Sequence, residues 1–327
     1  MSFAEKLIDR IAADGGWPVD RYFEASNNHY YATRDPMGAQ GDFTTAPEIS
    51  QMFGELVGAA LADCWHRAGS PADAIYVELG PGRGSLAADA MKVLRSVGFA
   101  GGVHLIETSP ALRKLQAERL PGALFHDDLD GLPAKPILLV ANEFFDALPV
   151  RQRIGEEERM VVAKKGRLTF APEFGDIIEI APARAAAAQK LAHHLGDHGG
   201  AALIIDYGYG AGETGDTLQA VKGHEQVDAL AHPGEADLTA HVDFAALAAA
   251  ALGEGLSVTR MISQGNWLET LGLGARAMTL AAKNPERSEE IAGQRRRLAE
   301  EMGQIFKVIG LHHPGWPAPA GLPEMPA

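Results

Sequence analysis

The sequence predicts an α/β fold of the doubly wound kind, and three observations carry that expectation. An apolar run ending in an acid meets a three-glycine turn at 75–86, IYVELGPGRGSL. From there on, short apolar runs alternate with stretches of helical periodicity, the pattern of a parallel sheet covered by helices. A chain of 327 residues that is 46% hydrophobic can bury a substantial core, as one large domain or two smaller ones.

Taken in order, the block before about residue 71 precedes the first sheet strand. Its Ile49, Met52, Phe53, Leu56, Val57, Ala60 and Leu61 fall at helical spacing, so it is expected as a helical extension on the core. The domain expectation is therefore an extension over 1–71 and a core over 72–327, with insertions at 150–182 and 264–304. Strands are expected over 75–79, 103–107, 137–142, 202–206, 257–262 and 306–311. Helices are expected over 86–97, 111–120, 183–195 and 244–252, the last two rich in alanine. The insertion at 150–182, punctuated by Gly155 and Gly166, reads as an antiparallel meander. The insertion at 264–304 reads as helices whose charged end, 294–301, is most simply a solvated face. The Pro-rich tail after His313 is expected along the surface or disordered.

The glycine turn is where chemistry starts. A ligand lies against backbone only where no Cβ intrudes and φ can turn positive, and Gly80, Gly82 and Gly84 allow both. The amides of the helix that follows favour an anionic group, with Arg83 as a further charge partner. The spacing is GxGxG, whereas a dinucleotide cradle asks for GxGxxG; a nicotinamide-dependent oxidoreductase is the weaker reading, and a purely structural turn stays open. Glu107 ends the next expected strand 23 residues beyond Gly84, where a carboxylate can accept from both ribose hydroxyls. The alternative is that Glu107 caps the next helix, with Thr108 or Ser109 as N-cap. Asp128, followed by Leu129, could meet the exocyclic amine of an adenine or simply be a solvated turn.

The expected strand over 137–142 ends in Asn142, Glu143, Phe144, Phe145 and Asp146. Two carboxylates three residues apart can share one helical face and clamp a guanidinium through bidentate bonds. A pair of helix-start acids is the bland alternative. Thr45 and Glu48 fit a capping box, with Pro47 early in the helix. Asp237, Thr239 and His241 fall in a loop that ends at Asp243, a natural N-cap; His241 there could act as an acid, a base or a substrate contact.

The net charge of -14 argues against a nucleic-acid binder. One cysteine, Cys64, allows no internal disulfide, and no cluster has metal-ligand spacing. No apolar run is long enough to insert in a membrane. The first residues show neither a signal-peptide core nor a transit-peptide composition, which leads to the expectation of a cytoplasmic prokaryotic protein.

With these pieces in order the chain resembles the MidA-type methyltransferases, a family that includes the mitochondrial protein arginine methyltransferase assisting assembly of respiratory complex I. The motifs that carry the likeness are GDFTTAPEIS at 41–50, ELGPGRG at 78–84, ANEFFDALP at 141–149, LIIDYG at 203–208 and GEADLTAHVDF at 234–244. The resemblance implies a class I, Rossmann-like sheet of six parallel strands and one antiparallel strand. It also implies S-adenosylmethionine as cofactor, with Gly80, Gly82 and Gly84 facing the methionyl part, Glu107 the ribose, and Asp128 and Leu129 the adenine. Glu78, Asn142, Asp42 and Thr45 join that cofactor set. Glu143 and Asp146 become the clamp on a substrate arginine, and the loop around His241 a substrate wall. The implied partner is a protein with a target arginine, a complex I subunit among the candidates. A non-catalytic cofactor-binding assembly factor and a small-molecule methyltransferase are the rival readings, and a homodimer is left open.

Overall fold

The computed structural model describes residues 1–33, 44–210 and 215–325. The chain divides into two compact units: Met1–Thr44, Phe145–Ala187 and Ala211–Val242 form the smaller, and Thr45–Phe144, Ala188–Gly210 and Asp243–Ala327 the larger.

The larger unit is built on a sheet whose strands we label β1 (Ile75–Leu79), β2 (Val103–Ile106), β3 (Leu124–His126), β4 (Ile137–Asn142), β5 (Gly200–Tyr209), β6 (Ser257–Val258), β7 (Ile262–Ser263) and β8 (Phe306–His312). Seven of them run in the order β6-β8-β5-β4-β1-β2-β3, with β7 also on β8. The pairs β1–β2, β1–β4, β2–β3 and β4–β5 are parallel, whereas β8 is antiparallel to both β5 and β6. This is the class I arrangement, and every residue of β1 and β4 is buried. Strands covered on both faces read as unbroken apolar runs, which is why these two were legible.

Two helices set the glycine turn in place. Gln51–Arg67 lies against Ser85–Ser96 so closely that a Cβ on Gly58 would stand 2.6 Å from Ala90 Cα. Met52, Phe53, Leu56, Val57, Ala60 and Leu61 are all buried in the core, as their spacing predicts.

Two expectations need correction. The strand expected over 257–262 is interrupted, because Arg260 N–H donates to Pro323 O (2.7 Å) instead of continuing the ladder to β8. The tail after His313 is not peripheral: Leu322 belongs to the core and Trp316 packs against it. Arg67 Nη2 donates to Ala318 O (2.6 Å) and Trp267 Nε1 to Ala320 O (3.0 Å).

The smaller unit has its own core, in which Leu7, Ile11, Trp17, Tyr22 and Phe23 meet Val150, Val161, Leu230 and Leu238. The meander region consists of antiparallel strands, Arg151–Ile154 pairing Ile177–Ile180 and Met160–Lys164 pairing Arg167–Ala171. Trp17–Pro18 adds to the second pair. A third small sheet joins Gln219–Lys222 to Asp237–Thr239.

Candidate active site

In the larger unit the glycine turn closes β1 at its C-terminal end, where open α/β sheets bind ligands. Gly80, Gly82 and Gly84 have φ of 59, 53 and 74°, all in the left-handed region where a side chain is strained. A Cβ at Gly80 would also stand 3.1 Å from Phe144 Cδ2. Gly84 is the N-cap of Ser85–Ser96 and, having no side chain, leaves the first amides of that helix uncapped.

Glu78 is 3% exposed and accepts from Tyr76 Oη at 2.6 Å. Burial pushes its carboxyl up to about 8, so at neutral pH it is mostly the uncharged acid. Glu107, at the end of β2, accepts from Ser109 N (2.8 Å) and Gln116 Nε2 (3.2 Å). Its burial likewise raises the carboxyl, opposed by those hydrogen bonds. Ser109 is the N-cap of Pro110–Arg119, as one alternative supposed, while Glu107 is held by both that cap and the helix. Gln116, which the sequence did not single out, also donates to Gly82 O (2.6 Å), tying the turn to the ribose candidate. Asp128 is exposed and caps a short turn by accepting from Asp130 N (3.0 Å), and Leu129 is buried behind it.

Asn142 ends β4, buried, with Nδ2 donating to Glu143 Oε1 (3.2 Å). Its Oδ1 has no hydrogen-bond partner among the described residues. Glu143 itself has φ of 52°, uncommon for a residue with a side chain and a strain of about 1–3 kcal/mol, a conformation it shares among the described residues with Ser70, Lys165 and His224. Its N–H donates to Ile205 O (2.9 Å), which locks the strained turn to the sheet.

Thr45 adopts N-cap geometry but makes no side-chain cap bond, so the expected capping box is not formed. Glu48 turns instead to the glycine loop, accepting from Ser85 Oγ (2.5 Å) and facing Arg83 Nη1 (3.7 Å). Asp42 lies outside the described residues.

The remaining candidates belong to the smaller unit. Asp146 is 4% exposed, and its main-chain oxygen accepts from Ala240 N (3.1 Å) and Arg184 Nη2 (3.0 Å). The Asp146–Leu148 turn and the Ala240–His241 loop are thus brought together, within one unit, by an arginine that in sequence is one ordinary residue of an alanine-rich helix. His241 N–H donates to Thr217 Oγ1 (2.9 Å). Asp237 accepts from Tyr31 Oη (2.7 Å); burial, then Asp237, and then Asp146 among the lesser causes push that phenol well above its ordinary range. Asp243, which belongs to the larger unit, caps Phe244–Gly253 by accepting from Ala245 N and Ala246 N.

A positive-φ glycine turn, a buried acid after β2 and, at the end of β4, a buried amide whose oxygen has no partner among the described residues suit a nucleoside carrying an amino acid. Residues 56–173 and 163–262 match a protein family described as "Putative S-adenosyl-L-methionine-dependent methyltransferase". The chain belongs to that family of S-adenosylmethionine-dependent methyltransferases. It is 33% identical over 368 residues to "Protein arginine methyltransferase NDUFAF7, mitochondrial" of Xenopus tropicalis, covering 93% of this chain and 84% of the relative. It is 35% identical over 372 residues to the Drosophila melanogaster homolog of the same name, covering 95% and 84%. Among solved structures, a protein of Burkholderia thailandensis described as a "likely methyl transferase", bound to S-adenosyl-homocysteine, is 25% identical with a TM-score of 0.81, covering 95% of this chain and 91% of that one. The cofactor is S-adenosylmethionine, as the motifs imply. The expectation of a cytoplasmic prokaryotic protein does not stand, since these curated relatives are mitochondrial proteins of eukaryotes; bulk charge and the first few residues carry too little information to fix a compartment.

Proposed function

We propose that the chain methylates an arginine of a protein, with a respiratory complex I subunit as the acceptor that the motif resemblance favours. The observation that supports this most is Glu143, an acid held in a strained turn at the end of the central strand β4, in contact with the cofactor candidate Asn142. The names of the relatives support the arginine.

S-adenosylmethionine supplies the methyl group as an electrophile on its sulfonium. Gly80, Gly82 and Gly84 give its methionyl part access to main-chain amides, Glu107 accepts from the ribose, Asp128 and Leu129 border the adenine, and Asn142, Glu78 and Thr45 complete the cofactor wall. Glu143 and Asp146 hold the guanidinium. Its pKa lies above about 12, so no base in this chain removes its proton beforehand. The carboxylates would instead orient one nitrogen for in-line attack and offset its charge as the N–C bond forms and the sulfonium S–C bond breaks, its electron pair staying on sulfur in the departing thioether. The methylated guanidinium sheds one proton late, to His241 or to water.

The test is transfer from tritiated S-adenosylmethionine to protein in an extract of the chain's source cells, followed by hydrolysis and amino-acid analysis. Label in a methylated arginine is the expected result. Label in a small molecule alone would replace this reading with a small-molecule methyltransferase, and cofactor binding with no transfer would favour an assembly factor.

A further inference from the structure

Arg184 is 3% exposed, and its guanidinium donates to four main-chain carbonyls: Leu148 O (3.2 Å) from Nε, His241 O (2.5 Å) from Nη1, and Asp146 O (3.0 Å) and Ala240 O (2.9 Å) from Nη2. These carbonyls come from two segments far apart in sequence, the turn that carries Asp146 and the loop that carries His241. Burying a guanidinium is costly unless its donors are met, and here main-chain oxygens meet them in a fork whose geometry the planar group fixes. The far side of the loop is fixed as well. His241 N–H donates to Thr217 Oγ1, and Thr217 Oγ1 in turn donates to Glu179 Oε2 (2.5 Å). Glu179 is steadied by Gln152 Nε2 (2.8 Å). The backbone of His241 is therefore gripped at both its N–H and its C=O.

We infer that Arg184 is a positioning residue that sets Asp146 against the His241 loop, in register for the substrate. It touches neither cofactor nor substrate in this role. The inference rests on the proposed function, because it gives Asp146 and His241 their work. Lysine cannot replace it, since an ammonium has three donors and no planar fork.

The experiment compares wild type, Arg184→Lys and Arg184→Met by transfer from tritiated S-adenosylmethionine into increasing amounts of source-cell extract. Cofactor affinity is measured beside it by calorimetry. In folded variants the maximal rate is expected to fall about tenfold or more, with Lys no better than partly restoring it, because misplacement of about 1 Å is that costly. Half-saturating extract and cofactor affinity stay within about twofold to threefold, the difference between misplaced groups and lost binding. An unchanged maximal rate, or a parallel loss of cofactor affinity, overturns the inference. Amide exchange on the wild type and on a folded Arg184→Met variant reads the grip without turnover: exchange at Ala240 and His241 that speeds up in the variant supports it, and exchange unchanged there overturns it. Absence of wild-type transfer would count against the proposed function, while the exchange result would still judge the grip.

Discussion

Glu78→Gln isolates a buried proton. In the folded chain Glu78 is buried on β1 and its carboxyl is pushed up to about 8, from the 4.5 ordinary for a glutamate. Folding therefore takes up a proton between those two values, and the sign follows: the contribution is fully present below about 4.5 and is lost as pH rises through about 8. Each pH unit in that window weakens the wild type by about 1.4 kcal/mol through this one group, so the full span is worth about 5 kcal/mol as an upper bound. Glutamine has the shape of the neutral acid and keeps an acceptor for the Tyr76 hydroxyl, so it removes the titration while preserving the hydrogen bond seen at 2.6 Å. Urea unfolding of both proteins, without cofactor, at half-unit steps from pH 5 to 8.5 measures the difference. Glu78→Gln should gain on the wild type steadily as pH rises. A difference that stays flat across the window would refute the reasoning and mean that water or a cation reaches Glu78.

Asp146→Asn should lower methyl transfer on the order of 100-fold, the scale of losing one charged group that offsets transition-state charge, with cofactor affinity within about twofold; unchanged turnover would remove Asp146 from the clamp. Gly58→Ala should destabilise the larger unit by about 2 kcal/mol in denaturant unfolding. The added Cβ meets Ala90 Cα at 2.6 Å and its carbonyl at 2.7 Å, and overpacking of about 1–3 kcal/mol outweighs the gain in helix propensity of about 1 kcal/mol. Stability equal to or above the wild type would show that the two helices can part without cost.

The sheet was legible because its central strands are buried on both faces and so read as apolar runs, and because β1 ends in a turn that glycine alone suits. Leu124–His126 escaped notice, since three residues at a sheet edge, none of them buried, leave no periodic signal. The interruption between β6 and β7 escaped for a different reason: it depends on Pro323, over sixty residues away in the chain. In the candidate site, the acids could be read from their place after strands, as Glu107 and Glu143 show. Their supports could not. Gln116 and Arg184 are ordinary helix residues in sequence, and only the fold brings Gln116 to Gly82 and Arg184 to four carbonyls. Local rules also misled at Glu48, where the capping-box spacing was satisfied and the carboxylate went to Ser85 instead.

The glycine turn as the seat of the cofactor is the claim on which the rest depends. Titration calorimetry with S-adenosylmethionine, on the wild type and on Gly82→Val, tests it most directly. Valine at φ of 53° is strained and would fill the cradle, so saturable binding in the wild type should vanish in a variant that still folds. Equal binding by both proteins would place the cofactor elsewhere and contradict the account.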